Sequence, residues 1–279
     1  MSKKFYKNFN IEDYYKYVES MALSDMALSC DNDYKDVYVD CKADFYAGNY
    51  IPDRRLERKF KVKSIAGEGD SMQRALRVMQ WLTDNSYYNG CQYKGISDNT
   101  YKILKYALNN DFSHAINCRF KAIALTDLLL SIDIPALPIG MLGFCNDKKT
   151  GAGVVNCHFV VHVYIKEQGR WIVVDPSFNA SFYYEGKPLD IFELKTLICQ
   201  NKDYEIRGYN FNKDSSRCID IYKKYFIENT LEFICTWVGS GVKRKRWGIG
   251  NIFNCILSPD KDNFSKKCIS YIGKSSNKT

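Results

Sequence analysis

Histidine, proline and long apolar runs are scarce in this chain. Its 279 residues include only three histidines and six prolines. No apolar run approaches the roughly 18 residues that a membrane-spanning helix needs, so we expect no membrane span. The first residues contain no apolar segment of the kind that a secretory signal requires, which predicts a cytoplasmic protein with reduced thiols.

The cysteines also lack the spacing of known frameworks. None of the 11 cysteines forms a C-x-x-C pair with another, which argues against zinc-ribbon and thioredoxin-like proteins. The odd count and irregular spacing argue against a disulfide framework. Three histidines and scattered cysteines do not have metal-ligand spacing. We therefore expect no metal site and no cofactor.

No strong charge of one sign is present. The formal charge is +8, from 40 Lys and Arg against 32 Asp and Glu, a mild bias that does not indicate a nucleic-acid-binding protein. The densest basic run is Lys243 to Arg246. We interpret it as a solvated turn between two strands, with a phosphate-binding or membrane-surface patch as the less favoured alternative.

Apolar periodicity predicts both helices and strands. Helices are predicted at 11–23, 70–81, 97–110, 117–132, 190–199 and 216–227, and strands at 60–62, 136–142, 159–165, 171–174, 231–238 and 252–257. This order predicts an α+β fold with helices packed on one antiparallel sheet. We divide the chain into an N-terminal extension (1–65) packed on or preceding the core, a main domain (66–273) and a frayed tail (274–279).

The clearest chemical signal is a cysteine at the start of a buried helix. Cys118 lies in the first turn of the helix predicted at 117–132. The unpaired amides and the positive dipole end of a helix favour a thiolate there. Cys157 is a competing nucleophile, but it precedes His158 in a predicted strand and should point to the opposite sheet face. A packing role is the simpler interpretation of Cys157.

A predicted hairpin brings a histidine and a carboxylate together. His158 and His162 lie at the start of one strand, and Asp175 closes the next. Antiparallel pairing would place the start of the first strand beside the end of the second. His158 and His162 share a sheet face, so parity alone does not choose between them. His114 is most simply a loop residue.

The order of these pieces resembles the transglutaminase-like superfamily, whose core is shared with papain-type proteases in a permuted form. More narrowly, the chain resembles uncharacterised bacterial transglutaminase-like proteins over residues 79–235. The resemblance is carried by Asn117-Cys118-Arg119, Ile134-Pro135-Ala136, His158 with Val163-Tyr164, and Trp171 with Asp175-Pro176.

The resemblance implies a transglutaminase-like core at 66–273 with a Cys–His–Asp triad. Cys118 would be the nucleophile at the start of the central helix, His158 the base at the start of a strand, and Asp175 the carboxylate that orients it. The spacing to Trp171 favours His158 over His162, which we expect to be a hydrogen-bonded core histidine. Two positions depart from the family: Val160 replaces a common aromatic residue, and His162 replaces a common acid.

These assignments predict a cysteine-nucleophile acyl-transfer enzyme acting on peptide or carboxamide bonds. Its substrate would be a peptide or protein, and its activity that of a protease, amidase or transglutaminase-like transamidase. The alternative is a non-catalytic binding or scaffold module that retains the fold. The missing C-x-x-C pairs argue against the peptide-N-glycanase branch of the superfamily.

Overall fold

The computed structural model of the chain describes residues 10–21, 53–92, 96, 99–146, 153–231 and 233–236. Its helices are α1 (Ile11–Met21), α2 (Arg54–Phe60), α3 (Val62–Ala66), α4 (Ser71–Asp84), α5 (Thr100–Ala107), α6 (Cys118–Ser131), α7 (Ile191–Cys199) and the short α8 (Ile219–Ile221). Its strands are β1 (Ala136–Asn146), β2 (Gly153–Ile165), β3 (Arg170–Asp175), β4 (Ala180–Tyr184), β5 (Lys187–Pro188), β6 (Glu205–Arg207) and β7 (Phe233–Thr236). A π-helical segment (Tyr222–Ile227) continues directly from α8.

The strands form one antiparallel sheet. Their order is β5–β4–β3–β2–β1–β7, and β6 pairs with β4. The longest pairing joins β1 to β2, from Ala136 opposite Val163 to Asn146 opposite Gly153. A 3-10 turn (Lys166–Gln168) followed by Gly169 in the left-handed region links β2 to β3. The predicted hairpin between β2 and β3 is therefore present.

Helix α6 lies at the centre of the described part of the fold. It packs against β1 and β2 and is also contacted by α2, α4 and α5. Nearly all of its residues are buried, as the apolar character of the segment predicts. Helices therefore pack on one antiparallel sheet, with α6 in contact with both, which confirms the expected α+β fold.

Side-chain caps fix the starts of the helices near the centre. Asn117 Oδ1 accepts the backbone N–H of Phe120 at 3.1 Å and so caps α6. At the start of α4, Asp70 Oδ1 accepts the N–H of Gln73 at 2.7 Å, and the Gln73 side chain returns a bond to the Asp70 N–H. Such caps satisfy amides that have no partner within the helix.

The strand predicted at 60–62 is wrong. Phe60 ends α2 and Val62 begins α3, with Lys61 between them in the left-handed region at φ 52°. The apolar–polar–apolar pattern there is produced by the end of one helix and the start of the next. Three residues are too few to separate this arrangement from a strand.

Other helices and strands also differ from their predicted limits, because neighbouring residues give competing signals for where an element begins and ends. Helix α5 begins after Asn99, whose Oδ1 accepts the N–H of Lys102 at 3.2 Å. The segment predicted as one helix at 216–227 contains α8 and the π-helical segment instead. The short strands β4, β5 and β6 were not predicted. β4 is buried at four of its five positions, so it has no alternation, and β5 and β6 are too short to show a period.

Several predictions fall outside the described residues. They are the Lys243 to Arg246 turn, the strand at 252–257 and the tail at 274–279.

The division at residues 65 and 273 stays a prediction. Tyr14 and Val18 of α1 belong to the same buried core as Leu104 and Leu125. Among the described residues, no helix is long and apolar enough to cross a membrane.

Gly143 of β1 marks a close approach that a side chain would prevent. A Cβ at this position would overlap the backbone carbonyl of Asn229, in the 3-10 turn (Glu228–Thr230) that follows the π-helical segment. We expect Gly143→Ala to lower the free energy of unfolding by roughly 1–3 kcal/mol, the usual cost of overpacking. Urea denaturation of the two proteins measures this difference. An unchanged midpoint would contradict the close packing of this turn on β1.

Candidate active site

Cys118 is the first residue of α6 and is 7% exposed. The preceding residue, Asn117, is tied down at both ends of its side chain. Its Oδ1 caps the helix, and its Nδ2 donates to the carbonyl of Gln92 at 3.0 Å. The thiol is thereby held at the positive end of a long buried helix, where the dipole favours an anion.

His158 lies inside β2, opposite Met141 of β1. The strand begins at Gly153 and not, as predicted, near the histidine. The ring is fully buried, and its Nε2 lies 2.6 Å from Asp175 Oδ2. The predicted meeting of this histidine and this carboxylate is therefore present.

Asp175 ends β3 and is held through both carboxylate oxygens. Oδ1 accepts the backbone N–H of Ser177 at 2.8 Å. Oδ2 accepts the Tyr222 hydroxyl at 3.0 Å in addition to the His158 ring. Tyr222 was not predicted as a site residue, because nothing in its local sequence distinguishes it from the chain's other tyrosines.

Aromatic rings surround the His158 imidazole. The centroids of Phe226, Phe178 and Tyr88 lie 5.4, 5.7 and 6.5 Å from the centroid of the imidazole. All three residues are buried. They exclude water from the His158–Asp175 pair, which strengthens the attraction between its charges.

This environment holds a proton on His158. Burial disfavours the charged ring, but the Asp175 carboxylate and the Cys118 side chain more than offset it and raise the pKa of His158 to about 10. A carboxylate only accepts hydrogen bonds, so Nε2 is protonated and donates its N–H to Asp175. Nδ1 makes no standard hydrogen bond to any described residue. The arrangement leaves Nδ1 as the ring atom available to the nearby Cys118.

His162 is on the same strand but has a different partner. Its ring is fully buried and stacks on Trp171 with centroids 6.1 Å apart. Its Nε2 accepts the N–H of Ile191, the first residue of α7, at 3.0 Å. An accepting Nε2 carries no proton, so this ring is neutral and holds α7 in place. His162 is thus a hydrogen-bonded core histidine, as expected.

The remaining candidates lie in simpler surroundings. His114 lies in a 3-10 turn, where its Nδ1 is 2.6 Å from Asp111 Oδ2. Cys157 lies opposite Leu142 and is exposed, whereas a packing role was expected. Among the described residues, no group of three or more His, Cys, Asp or Glu could hold a metal ion.

Lys121 is a buried ionisable residue that the sequence did not reveal. It lies three residues after Cys118 in α6 and is fully buried. Its Nζ donates to the carbonyl of Ser86 at 2.8 Å. Burial lowers the pKa of Lys121 to about 7, and the Asp175 charge opposes that shift. The lysine ties α6 to the segment that follows α4.

Part of the chain is similar to a known family. Residues 58–176 match the model of the transglutaminase-like superfamily, a little under half of the chain. The match includes Cys118, His158 and Asp175, and it confirms the predicted resemblance. Residues 58–176 are therefore similar to a transglutaminase-like domain.

Comparison with solved structures gives a weaker likeness. A crystal structure of a candidate cysteine protease from Cytophaga hutchinsonii is 16% identical, with a TM-score of 0.33. The alignment covers 46% of this chain and 40% of that chain, so it spans less than half of either. A TM-score this low carries no argument about function. We find no match among the curated proteins.

The raised pKa of His158 predicts a pH-dependent contribution to stability. A group whose pKa rises on folding, here from 6.5 to about 10, stabilises the folded state fully below the unfolded value and loses that effect as pH rises through the folded value. The stability difference between wild type and Asp175→Asn should therefore be largest near pH 6 and shrink between about pH 6.5 and 10. Chemical denaturation across this range measures it. His158→Gln has no ring to titrate, so in that background the stability difference caused by Asp175→Asn should no longer depend on pH in this way. If the pH dependence persisted, it would contradict the assignment to His158.

Proposed function

We propose that this protein is a cysteine-nucleophile acyl-transfer enzyme that acts on peptide or carboxamide bonds. Cys118 is the nucleophile, His158 the general base and acid, and Asp175 the carboxylate that orients His158. The observation that carries the proposal is the fully buried His158–Asp175 contact at 2.6 Å, which leaves Nδ1 for the thiol at the start of α6.

The chemistry begins with a thiolate–imidazolium pair. The thiol of Cys118 gives its proton to Nδ1 of His158, and the thiolate attacks the carbonyl carbon of the substrate. A C–S bond forms, and the tetrahedral oxyanion is stabilised by donors that include the backbone N–H of Cys118. When the C–N bond breaks, the proton on Nδ1 moves to the leaving amine. A thioester on Cys118 and a free amine are the products of this half-reaction.

The second half-reaction decides the enzyme's class. His158 removes a proton from the acceptor, which attacks the thioester and restores the thiol. Water as acceptor gives a protease or amidase, and an amine gives a transamidase. We propose water, because the sequence contains no second amine-binding motif. Competition between water and an added primary amine for the thioester measures the preference directly.

Selective labelling of Cys118 tests the nucleophile. Cys157 is exposed and Cys118 is 7% exposed, so accessibility alone favours Cys157. A thiolate reacts far faster than a thiol, so at pH 6 we expect iodoacetamide to label Cys118 first. Asp175→Asn removes the counter-charge of the imidazolium and should slow labelling of Cys118 at pH 6 by about tenfold, the effect of roughly 1.4 kcal/mol.

Mass spectrometry of tryptic peptides reports each cysteine separately. Cys118→Ser should lose the fast-labelling site while keeping the fold. Faster labelling of Cys157, with no effect of Asp175→Asn, would reject the enzyme and favour a non-catalytic module.

Separate substitution of the two histidines tests which one is the base. His158→Ala should abolish the burst of nitrophenol from p-nitrophenyl acetate, because no group remains to take the Cys118 proton. His162→Ala leaves the Ile191 amide without its acceptor and should cost about 1–3 kcal/mol of stability. The folded fraction of that variant should keep its burst. The reverse pattern would show that His162 is the base.

A further inference from the structure

Asp175 needs to present one defined oxygen to His158, and its surroundings restrict how it can do so. The Ser177 N–H binds Oδ1 at 2.8 Å, which holds one end of the carboxylate. At the other end, Oδ2 faces His158 Nε2 at 2.6 Å. Tyr222 adds a second donor to this same oxygen, since its hydroxyl lies 3.0 Å from Oδ2.

The direction of the Tyr222 hydrogen bond follows from its partner. An ionised carboxylate only accepts hydrogen bonds, so the phenol donates. Burial and the Asp175 charge raise the pKa of Tyr222 well above its ordinary value, which keeps the donor proton in place. Hydrogen bonds to a charged acceptor are stronger than those between neutral groups.

The fold holds Tyr222 rigidly in this position. It is fully buried, and its ring centroid lies 4.4 Å from that of Phe178 and 5.1 Å from that of Tyr209. It is the first residue of the π-helical segment, a form of backbone that is rare and often occurs at functional sites. Tyr222 lies beyond residues 58–176, the part of the chain that matches the superfamily model.

We propose that Tyr222 is a positioning residue for the acyl-transfer reaction: its hydroxyl fixes Asp175 Oδ2 on the Nε2–H of His158. This inference rests on the proposed function of Cys118, His158 and Asp175. Loss of the hydroxyl leaves Oδ2 with one donor fewer, so the carboxylate is held less firmly against Nε2. The imidazolium is then less well stabilised, and so is the thiolate of Cys118 that pairs with it.

The test compares Tyr222→Phe with a matched control, Tyr209→Phe. Tyr209 is also buried and also donates one hydrogen bond, to the carbonyl of Arg217 at 2.7 Å. In Tyr222→Phe we expect the acid limb of the pH–rate profile for Cys118 alkylation to move up by about one pH unit. The His158 Nε2–H proton resonance should also shift. Tyr209→Phe should change neither.

A second variant keeps the test valid if Tyr222→Phe does not fold. Site-specific 3-fluorotyrosine at position 222 retains the ring and makes the hydroxyl a stronger donor, so the acid limb should move to lower pH. If wild-type Cys118 is unusually reactive but the Tyr222 variants match Tyr209→Phe, the positioning role is wrong and the proposed function stands. If wild-type Cys118 reacts like an ordinary thiol, both proposals fail.

Discussion

The ion pair between His158 and Asp175 is the interaction on which the site depends. Both side chains are fully buried, and their atoms approach to 2.6 Å. Removing two charges from water costs several kcal/mol per ion unless the geometry is good and the remaining polar atoms are bonded. The Ser177 amide and the Tyr222 hydroxyl supply those bonds. Removing either partner would leave the other as an uncompensated buried charge.

Each partner of the site is supplied by a different kind of backbone. A helix N-terminus presents Cys118, the interior of a long strand presents His158, and the end of the next strand presents Asp175. The π-helical segment adds Tyr222 from a distant part of the chain. Groups held on such packed elements keep their geometry better than groups on loops. The proposed chemistry requires this precision, because the thiol must lie at one ring nitrogen of the histidine while the carboxylate binds the other.

Local sequence signals predicted the elements that carry the site. The buried helix α6 and the β2–β3 hairpin follow from apolar periodicity and from turn residues, which are local signals within windows of roughly 11–18 residues or fewer. Prediction failed where those signals are weak. The alternation at 60–62 belonged to two helices, β4 is buried at most positions, and the π-helical segment cannot be distinguished from an α-helix in sequence.

The sequence by itself determined that Cys118 begins a buried helix and that a hairpin joins a histidine strand to Asp175. It identified His158 over His162 only through resemblance, because the two histidines have the same strand parity. Tertiary structure separated them: Asp175 binds the Nε2 of His158, and the Ile191 amide binds the Nε2 of His162. Tertiary structure alone also brought Tyr222 to Asp175 and buried Lys121 against the Ser86 carbonyl. The physical reason is that strand parity and helix caps are set by neighbouring residues, whereas the partner of a buried polar atom depends on which distant segments the core packs around it.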